Sequence, residues 1–204
     1  MKLVVIPGVG FQIAKSTYED FCSFLQNGLQ CETEMYYWQH DWPIPEIKLP
    51  YCDIRKWGYE CILDFQQVIL HAFEMQVPQA DYYLGHSAGS IIALAQKNAS
   101  CIVFGSPAVL IECVHKNIRA NDDFNNKIMK SIKSKKNILN IINKYDQLAY
   151  YLDLSNVENF VFRFPWYLPK SYRPIKCHNG YWESKETRQK IVDTIKKWEL
   201  QKNS

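Results

Sequence analysis

Short apolar runs of about four to six residues, bounded by turn signals, alternate with helical segments along this chain. Such alternation predicts an α/β domain with a mostly parallel sheet and helices on both faces. The 204 residues suit one domain spanning residues 1–204, and a hydrophobic share of 47% is enough for a packed core. We therefore expect a single-domain α/β fold.

The runs predict six strands, at residues 3–6, 32–38, 82–85, 101–104, 138–142 and 160–164. Helices are predicted at residues 17–27, 54–75, 88–99, about 122–133 and 185–200. Ser16 and Glu19 are spaced as a capping box at the start of the first helix. In an open parallel sheet, the loops at the carboxyl ends of the strands form the binding crevice, so functional residues are expected there.

The net charge and the spacing of the cysteines exclude several classes of protein from the expectation. A net charge of +3, from 24 basic and 21 acidic residues, gives no reason to expect nucleic-acid binding or stable membrane insertion. The seven cysteines are scattered without a Cys-x-x-Cys pair, which disfavours a zinc site and a disulfide framework. The N-terminal apolar run is too short for a signal peptide. We expect a cytoplasmic protein that uses no metal and no cofactor.

The segment Gly85-His86-Ser87-Ala88-Gly89 lies where a predicted strand passes into a predicted helix. A serine hydroxyl is a weak nucleophile, and it needs space for both a histidine base and a substrate carbonyl. A tight strand-to-helix turn provides that space, provided that small residues two before and two after the serine let neighbouring backbone pass closely. The pattern predicts Ser87 as a nucleophile, and an ordinary glycine-rich turn is the alternative.

With this segment, the chain resembles the α/β-hydrolase family, in a minimal form without a large cap. The family carries its catalytic residues in the chain order serine, acid, histidine, with the acid after a later strand. In this chain Asp146 follows the strand predicted at residues 138–142. The resemblance therefore implies Asp146 as the acid, and Asp153 is the rival.

The family places its histidine in the loop before the last helix, and His178 has that position. It begins the segment His-Asn-Gly-Tyr-Trp, which is similar to the histidine segment of class 3 lipases. We expect a flexible loop there. The resemblance implies that His178 is the base, in preference to the other four histidines, His40, His71, His86 and His115.

An acyl-transfer site also needs donors for the oxyanion that forms in the transition state. The resemblance implies the backbone N–H of Ala88, directly after the serine, as one donor. The other is expected from the loop Ile-Pro-Gly-Val-Gly-Phe after the first strand, from either Val9 or Gly10. A nucleotide-binding loop is the alternative for this segment, but it lacks the third glycine at the expected offset.

These residues predict a serine hydrolase that cleaves a carboxylic ester or thioester through an acyl-enzyme. We expect most of the aromatic residues in the predicted loops to pack in the core. Any that line the crevice would suit an apolar acyl chain. These residues are Trp42, Tyr51, Trp166, Tyr167, Tyr181 and Trp182. An amidase or acyltransferase would use the same residues. A catalytically inactive module that binds a ligand or partner is the alternative of a different class. The sequence predicts no oligomeric state.

Overall fold

Six parallel strands form one sheet in the order β2-β1-β3-β4-β5-β6. The computed structural model describes residues 1–8, 14–38, 71–97, 99–107, 129–146, 149, 151–163 and 173–203. The strands are β1 (Lys2–Ile6), β2 (Glu32–Met35), β3 (Tyr82–His86), β4 (Ser100–Phe104), β5 (Ile138–Asn143) and β6 (Val157–Phe162). All neighbouring strands pair in parallel, so the carboxyl ends of the strands meet at one edge of the sheet.

Four helices have both ends within the described residues: α1 (Lys15–Leu29), α2 (Ala88–Ala95), α3 (Arg173–Asn179) and α4 (Lys185–Lys202). Residues 129–134 are also helical, as are residues 71–72. They belong to the helices predicted at residues 122–133 and 54–75, whose earlier parts lie outside the described residues.

Helices cover both faces of the sheet, as the alternation in the sequence predicts. Leu3 and Val5 of β1 pack into a core with α1 and α4. Val4 and Ile6, which point to the other face, pack into a second core with α2 and Ile132. The fold is therefore α/β with a parallel sheet between two helical layers.

Three boundaries differ from the sequence prediction in the outer strands, one of them the end of β6 at Phe162, two residues before the predicted end. β2 ends at Met35, although the N–H of Tyr36 still donates to the Val5 carbonyl oxygen at 2.9 Å. Trp38 lies beyond the strand, and its indole N–H donates to the carbonyl oxygen of Pro7 at 2.7 Å. β6 begins at Val157, three residues before the predicted start, because the polar residues Glu158 and Asn159 also pair with β5. A strand at the edge of the sheet does not need a continuous apolar run. The polar first half of β6 therefore shows no apolar pattern by which it could be predicted.

Helix boundaries differ as well. Helix α1 begins at Lys15 with Ala14 as its N-cap and no side-chain cap, so the capping box predicted from Ser16 and Glu19 is wrong. A side-chain cap does occur at α4, where the hydroxyl of Ser184 accepts the backbone N–H of Thr187 at 3.2 Å.

Candidate active site

Ser87 lies alone between the last residue of β3, His86, and the first residue of α2, Ala88. Its φ of 52° and ψ of −126° lie in a region that side-chain-bearing residues rarely adopt and that costs about 1–3 kcal/mol. The turn is held by the Ser87 N–H, which donates to the Phe104 carbonyl oxygen at 3.1 Å. The Ser90 hydroxyl donates to the Ser87 carbonyl oxygen at 2.5 Å. The Ser87 hydroxyl makes no capping hydrogen bond to α2, although Ser87 is its N-cap residue.

The glycines on either side of Ser87 allow the backbone to pass closely, as their spacing predicts. A Cβ on Gly85 would lie 2.5 Å from the Cα of Ser90, inside the first turn of α2. A Cβ on Gly89 would overlap the carbonyl oxygen of Ile6 and lie 2.5 Å from that of Pro7. The elbow is therefore wedged between its own helix and the end of β1, with no room for a side chain at either glycine.

The loop after β1 begins directly against Ser87. A Cβ on Gly8 would lie 2.6 Å from the Cβ of Ser87 and 3.2 Å from its Oγ. β1 and β3 are neighbours in the sheet, and the chain leaves them towards opposite faces. In open α/β sheets, ligands bind at such a switch point. Val9 and Gly10 lie outside the described residues, so the second oxyanion donor stays a prediction. Ala88 begins α2, where helix N–H groups lack acceptors within the helix.

Asp146 and His178 form a buried hydrogen-bonded pair. Asp146 follows β5 by three residues, and its Oδ2 lies 2.9 Å from Nδ1 of His178, with both side chains fully buried. Because a carboxylate accepts, Nδ1 carries the proton and Nε2 is the nitrogen left to act as a base. The rival acid, Asp153, is exposed. His178 lies on helix α3 and not in a loop, so the expected flexible loop is wrong at this residue.

Two contacts tie the backbone of α3 to the sheet, at His178 and at the preceding Cys177. Nε2 of His86 donates to the His178 carbonyl oxygen at 2.7 Å, and the two imidazole rings lie 4.7 Å apart. The side-chain amide of Asn143, at the end of β5, donates to the carbonyl oxygen of Cys177 at 2.9 Å. The sequence excluded His86 as the base, and the structure shows it as a support for His178.

Burial of the His86 ring, with a smaller contribution from the neighbouring His178, lowers the pKa of His86 from 6.5 to about 3. The unfolded chain protonates this ring near its ordinary pKa and the folded chain does not. Between about pH 6.5 and pH 3 the unfolded state therefore binds more protons, and stability is lost as the pH falls through this window.

His86→Gln is expected to remove this pH dependence. Between pH 7 and pH 5, His86 should account for about 2 kcal/mol of the fall in the free energy of unfolding of the wild type. Urea unfolding at the two pH values measures the fall, and the variant should show the smaller one, whatever its stability at pH 7. An equal fall in both proteins would contradict a neutral, buried His86.

Two residues near the pair have contacts that the sequence did not predict, since Gly105 was not singled out and Tyr181 was expected only to pack or to line the crevice. Gly105, which follows β4, has a φ of 59°, and a Cβ there would lie 3.1 Å from the Asp146 Oδ2 and from the His178 Cε1. Since the preceding Phe104 accepts the Ser87 N–H, the elbow and the pair meet at one sheet edge. The hydroxyl of Tyr181 donates to the Asp146 Oδ2 at 2.9 Å. For Gly105, the only local signal in the sequence was a glycine at the end of an apolar run. For Tyr181, it was the position three residues after His178 in the segment His-Asn-Gly-Tyr-Trp.

The aromatic residues of the predicted loops divide into two groups. Tyr181 and Trp182 are fully buried, and their rings pack tilted and edge to face against Phe104, as packing residues do. The others lie outside the described residues, namely Trp42, Tyr51, Trp166 and Tyr167. Within the described ranges, no three His, Cys, Asp or Glu side chains are grouped so that they would hold a metal ion.

None of the helices in the described part of the chain has the length and apolar character needed to cross a membrane. The sequence matches no protein-family model and has no significant match among curated proteins. Its function is therefore inferred from the chemistry of the site alone.

Proposed function

We propose that this protein is a serine hydrolase that cleaves a carboxylic ester or thioester. The observation that carries the proposal is the buried hydrogen bond between the Asp146 carboxylate and Nδ1 of His178, at the sheet edge where Ser87 occupies a strained elbow. An imidazole oriented by a carboxylate is a general base, and a serine on such a turn is accessible to it. Geometry of this kind, with strain concentrated at the serine, is typical of functional sites.

In the proposed reaction, Nε2 of His178 accepts the proton of the Ser87 hydroxyl as its oxygen attacks the substrate carbonyl. Asp146 stabilises the imidazolium that forms. The N–H of Ala88 donates to the oxyanion, with a second donor from the loop after β1. Collapse of the tetrahedral intermediate breaks the ester bond, and His178 returns its proton to the leaving alcohol or thiol. A water molecule then attacks the acyl-enzyme by the same route, which releases the acid and restores Ser87.

The proposed setting is the cytoplasm. The thiols of Cys22, Cys31 and Cys101 are free, as is usual in a reducing compartment. Burial raises the pKa of Cys101 to about 11, so that thiol is unreactive at neutral pH. Burial also raises the pKa of Cys22 and of Cys31, so none of these three thiols is a nucleophile of low pKa.

A fluorophosphonate probe tests the proposal, since it phosphonylates serines that are activated by a neighbouring base. We expect the probe to label the wild type on the peptide that contains Ser87, as located by mass spectrometry. Ser87→Ala should remove the label. Ser134→Ala is a matched control, because Ser134 is exposed and lies away from the site, and it should be labelled as the wild type is.

If a folded wild-type protein takes no label, the hydrolase proposal fails and a binding module becomes the better explanation. If the label is found on another serine, Ser87 is not the nucleophile. Hydrolysis of p-nitrophenyl esters of increasing acyl length then defines which acyl group the crevice accepts.

A further inference from the structure

Tyr181 links the end of β5 to the acid of the proposed triad. Its ring is buried against Phe104, Phe162 and His86, with centroids 5.3–5.8 Å away. Its hydroxyl oxygen accepts the backbone N–H of Asn143 at 2.8 Å and donates to the Oδ2 of Asp146 at 2.9 Å. We infer that Tyr181 is a positioning residue, whose hydroxyl orients the Asp146 carboxylate towards His178. The catalytic meaning of this inference rests on the proposed function.

The direction of the hydroxyl proton follows from its partners. The Asn143 N–H can only donate, so it occupies a lone pair of the Tyr181 oxygen and leaves the hydroxyl proton for the carboxylate. Asn143 is the last residue of β5 and pairs with Phe162 of β6, so its backbone is held by the sheet. Through these two hydrogen bonds, Tyr181 fixes the Asp146 side chain relative to the end of β5.

The carboxylate takes both donors on the same oxygen. Oδ2 of Asp146 lies 2.9 Å from the Tyr181 hydroxyl and 2.9 Å from the His178 Nδ1. Rotation of the carboxylate would break both hydrogen bonds at once. Because the Asp146 side chain is fully buried, water could not replace them. The pair of donors therefore holds Oδ2 towards the imidazole more strictly than His178 would alone.

Tyr181 remains a donor across the whole working range of pH. Burial, and next the neighbouring Asp146 carboxylate, raise the pKa of Tyr181 well above 10. A neutral donor also withdraws charge from the carboxylate, which makes Asp146 hold the imidazolium proton less tightly. Loss of the hydroxyl should therefore have an electrostatic effect on His178, beyond any loss of packing.

Tyr181→Phe tests this role because it keeps the ring and removes only the hydroxyl. Tyr82→Phe is the matched control: Tyr82 is also fully buried and also donates to a carboxylate, that of Glu199 on α4, far from the site. In full-length protein with ¹⁵N-labelled histidine, NMR follows the ring signals of His178 against pH. The titratable groups that the described residues place beside this ring are Asp146, bonded to its Nδ1, and His86, whose ring lies 4.7 Å away. Tyr181 is bonded to the same Asp146 oxygen, and burial keeps His86 neutral above about pH 3.

In Tyr181→Phe, the pH midpoint of the His178 signals is expected to rise by about half a unit or more, and kcat/KM for an ester should fall about tenfold. Tyr82→Phe should leave both unchanged. An unchanged midpoint in folded Tyr181→Phe overturns the inference. The NMR measurement needs no turnover, so a raised midpoint in a protein that takes no fluorophosphonate would reject the hydrolase proposal while leaving Tyr181 as the residue that controls the pair.

A second measurement covers the case in which Tyr181→Phe does not fold. Growth of the wild-type chain with 3-fluorotyrosine keeps every ring and hydroxyl but makes each hydroxyl a stronger donor. The midpoint of the His178 signals should then fall, opposite to the effect of removing the hydroxyl. A midpoint that stays constant or rises overturns the inference.

Discussion

Replacing His178 with alanine is expected to lower kcat/KM for a carboxylic ester by at least about 10⁴-fold, as loss of the base does in serine hydrolases. Without the imidazole, no group held by Asp146 remains to accept the Ser87 proton. The binding of substrate should change little, so the loss falls on kcat. The measurement is steady-state hydrolysis of a p-nitrophenyl ester, with the fluorophosphonate labelling rate as a second readout.

Asp146→Asn separates the two candidate acids. An amide facing Nδ1 can donate its N–H, which favours the wrong imidazole tautomer, and the expected loss in kcat/KM is about 10³- to 10⁴-fold. Asp153→Asn is the control, and it should keep wild-type activity because Asp153 is exposed. Full activity in Asp146→Asn together with loss in Asp153→Asn would transfer the acid role to Asp153. Full activity in His178→Ala would remove His178 from the mechanism.

Gly89→Ala is expected to lower the free energy of unfolding by about 3 kcal/mol, at the upper end of what overpacking costs. The new methyl group would overlap the carbonyl oxygen of Ile6 and lie 2.5 Å from that of Pro7. These are backbone atoms at the end of a paired strand, so β1 or α2 has to move as a whole. A shift of β1 would also move Gly8, which follows Pro7 and lies against Ser87. The variant should therefore also lose ester hydrolysis.

Gly28→Ala provides the control for the Gly89 variant. Gly28 lies in α1, and a Cβ there would meet a methyl group of Val192 at 3.0 Å, which is the end of a side chain that can shift. Its stability should stay within about 1 kcal/mol of the wild type. Urea unfolding followed by circular dichroism measures both variants. Equal stabilities for Gly89→Ala and Gly28→Ala would contradict the close approach of α2 to β1.

The central strands are predictable from the sequence because each is a short, fully buried apolar run. The bounds of β3 and β4 agree with the prediction to within one residue. The extra residue is polar in each strand, namely His86 at the end of β3 and Ser100 at the start of β4. β6 is predicted only in part, because an edge strand tolerates Glu158 and Asn159 in its first half. Helix α3 was missed because its seven residues are too few to carry a helical repeat.

The candidate site was predictable where a residue has a local signature. Ser87 lies between two glycines at the expected spacing, and the backbone contacts of Gly85 and Gly89 give that spacing its physical reason. Asp146 and His178 were reached through the family resemblance, which supplied the chain order that local patterns lack. The supporting contacts of Tyr181 and His86 had no local signature.

By itself, the sequence determined the α/β class, the parallel sheet and the strand-to-helix elbow at Ser87, because burial and backbone crowding leave patterns among near neighbours in the chain. Only the tertiary structure decided that Asp146 rather than Asp153 faces His178, and that Tyr181 and Gly105 lie against this pair. Asp146 and Tyr181 are separated by 35 residues along the chain. They meet because the segment after α3 returns to the carboxyl end of β5, where the Tyr181 hydroxyl accepts the Asn143 N–H. That return is set by the packing of the whole chain.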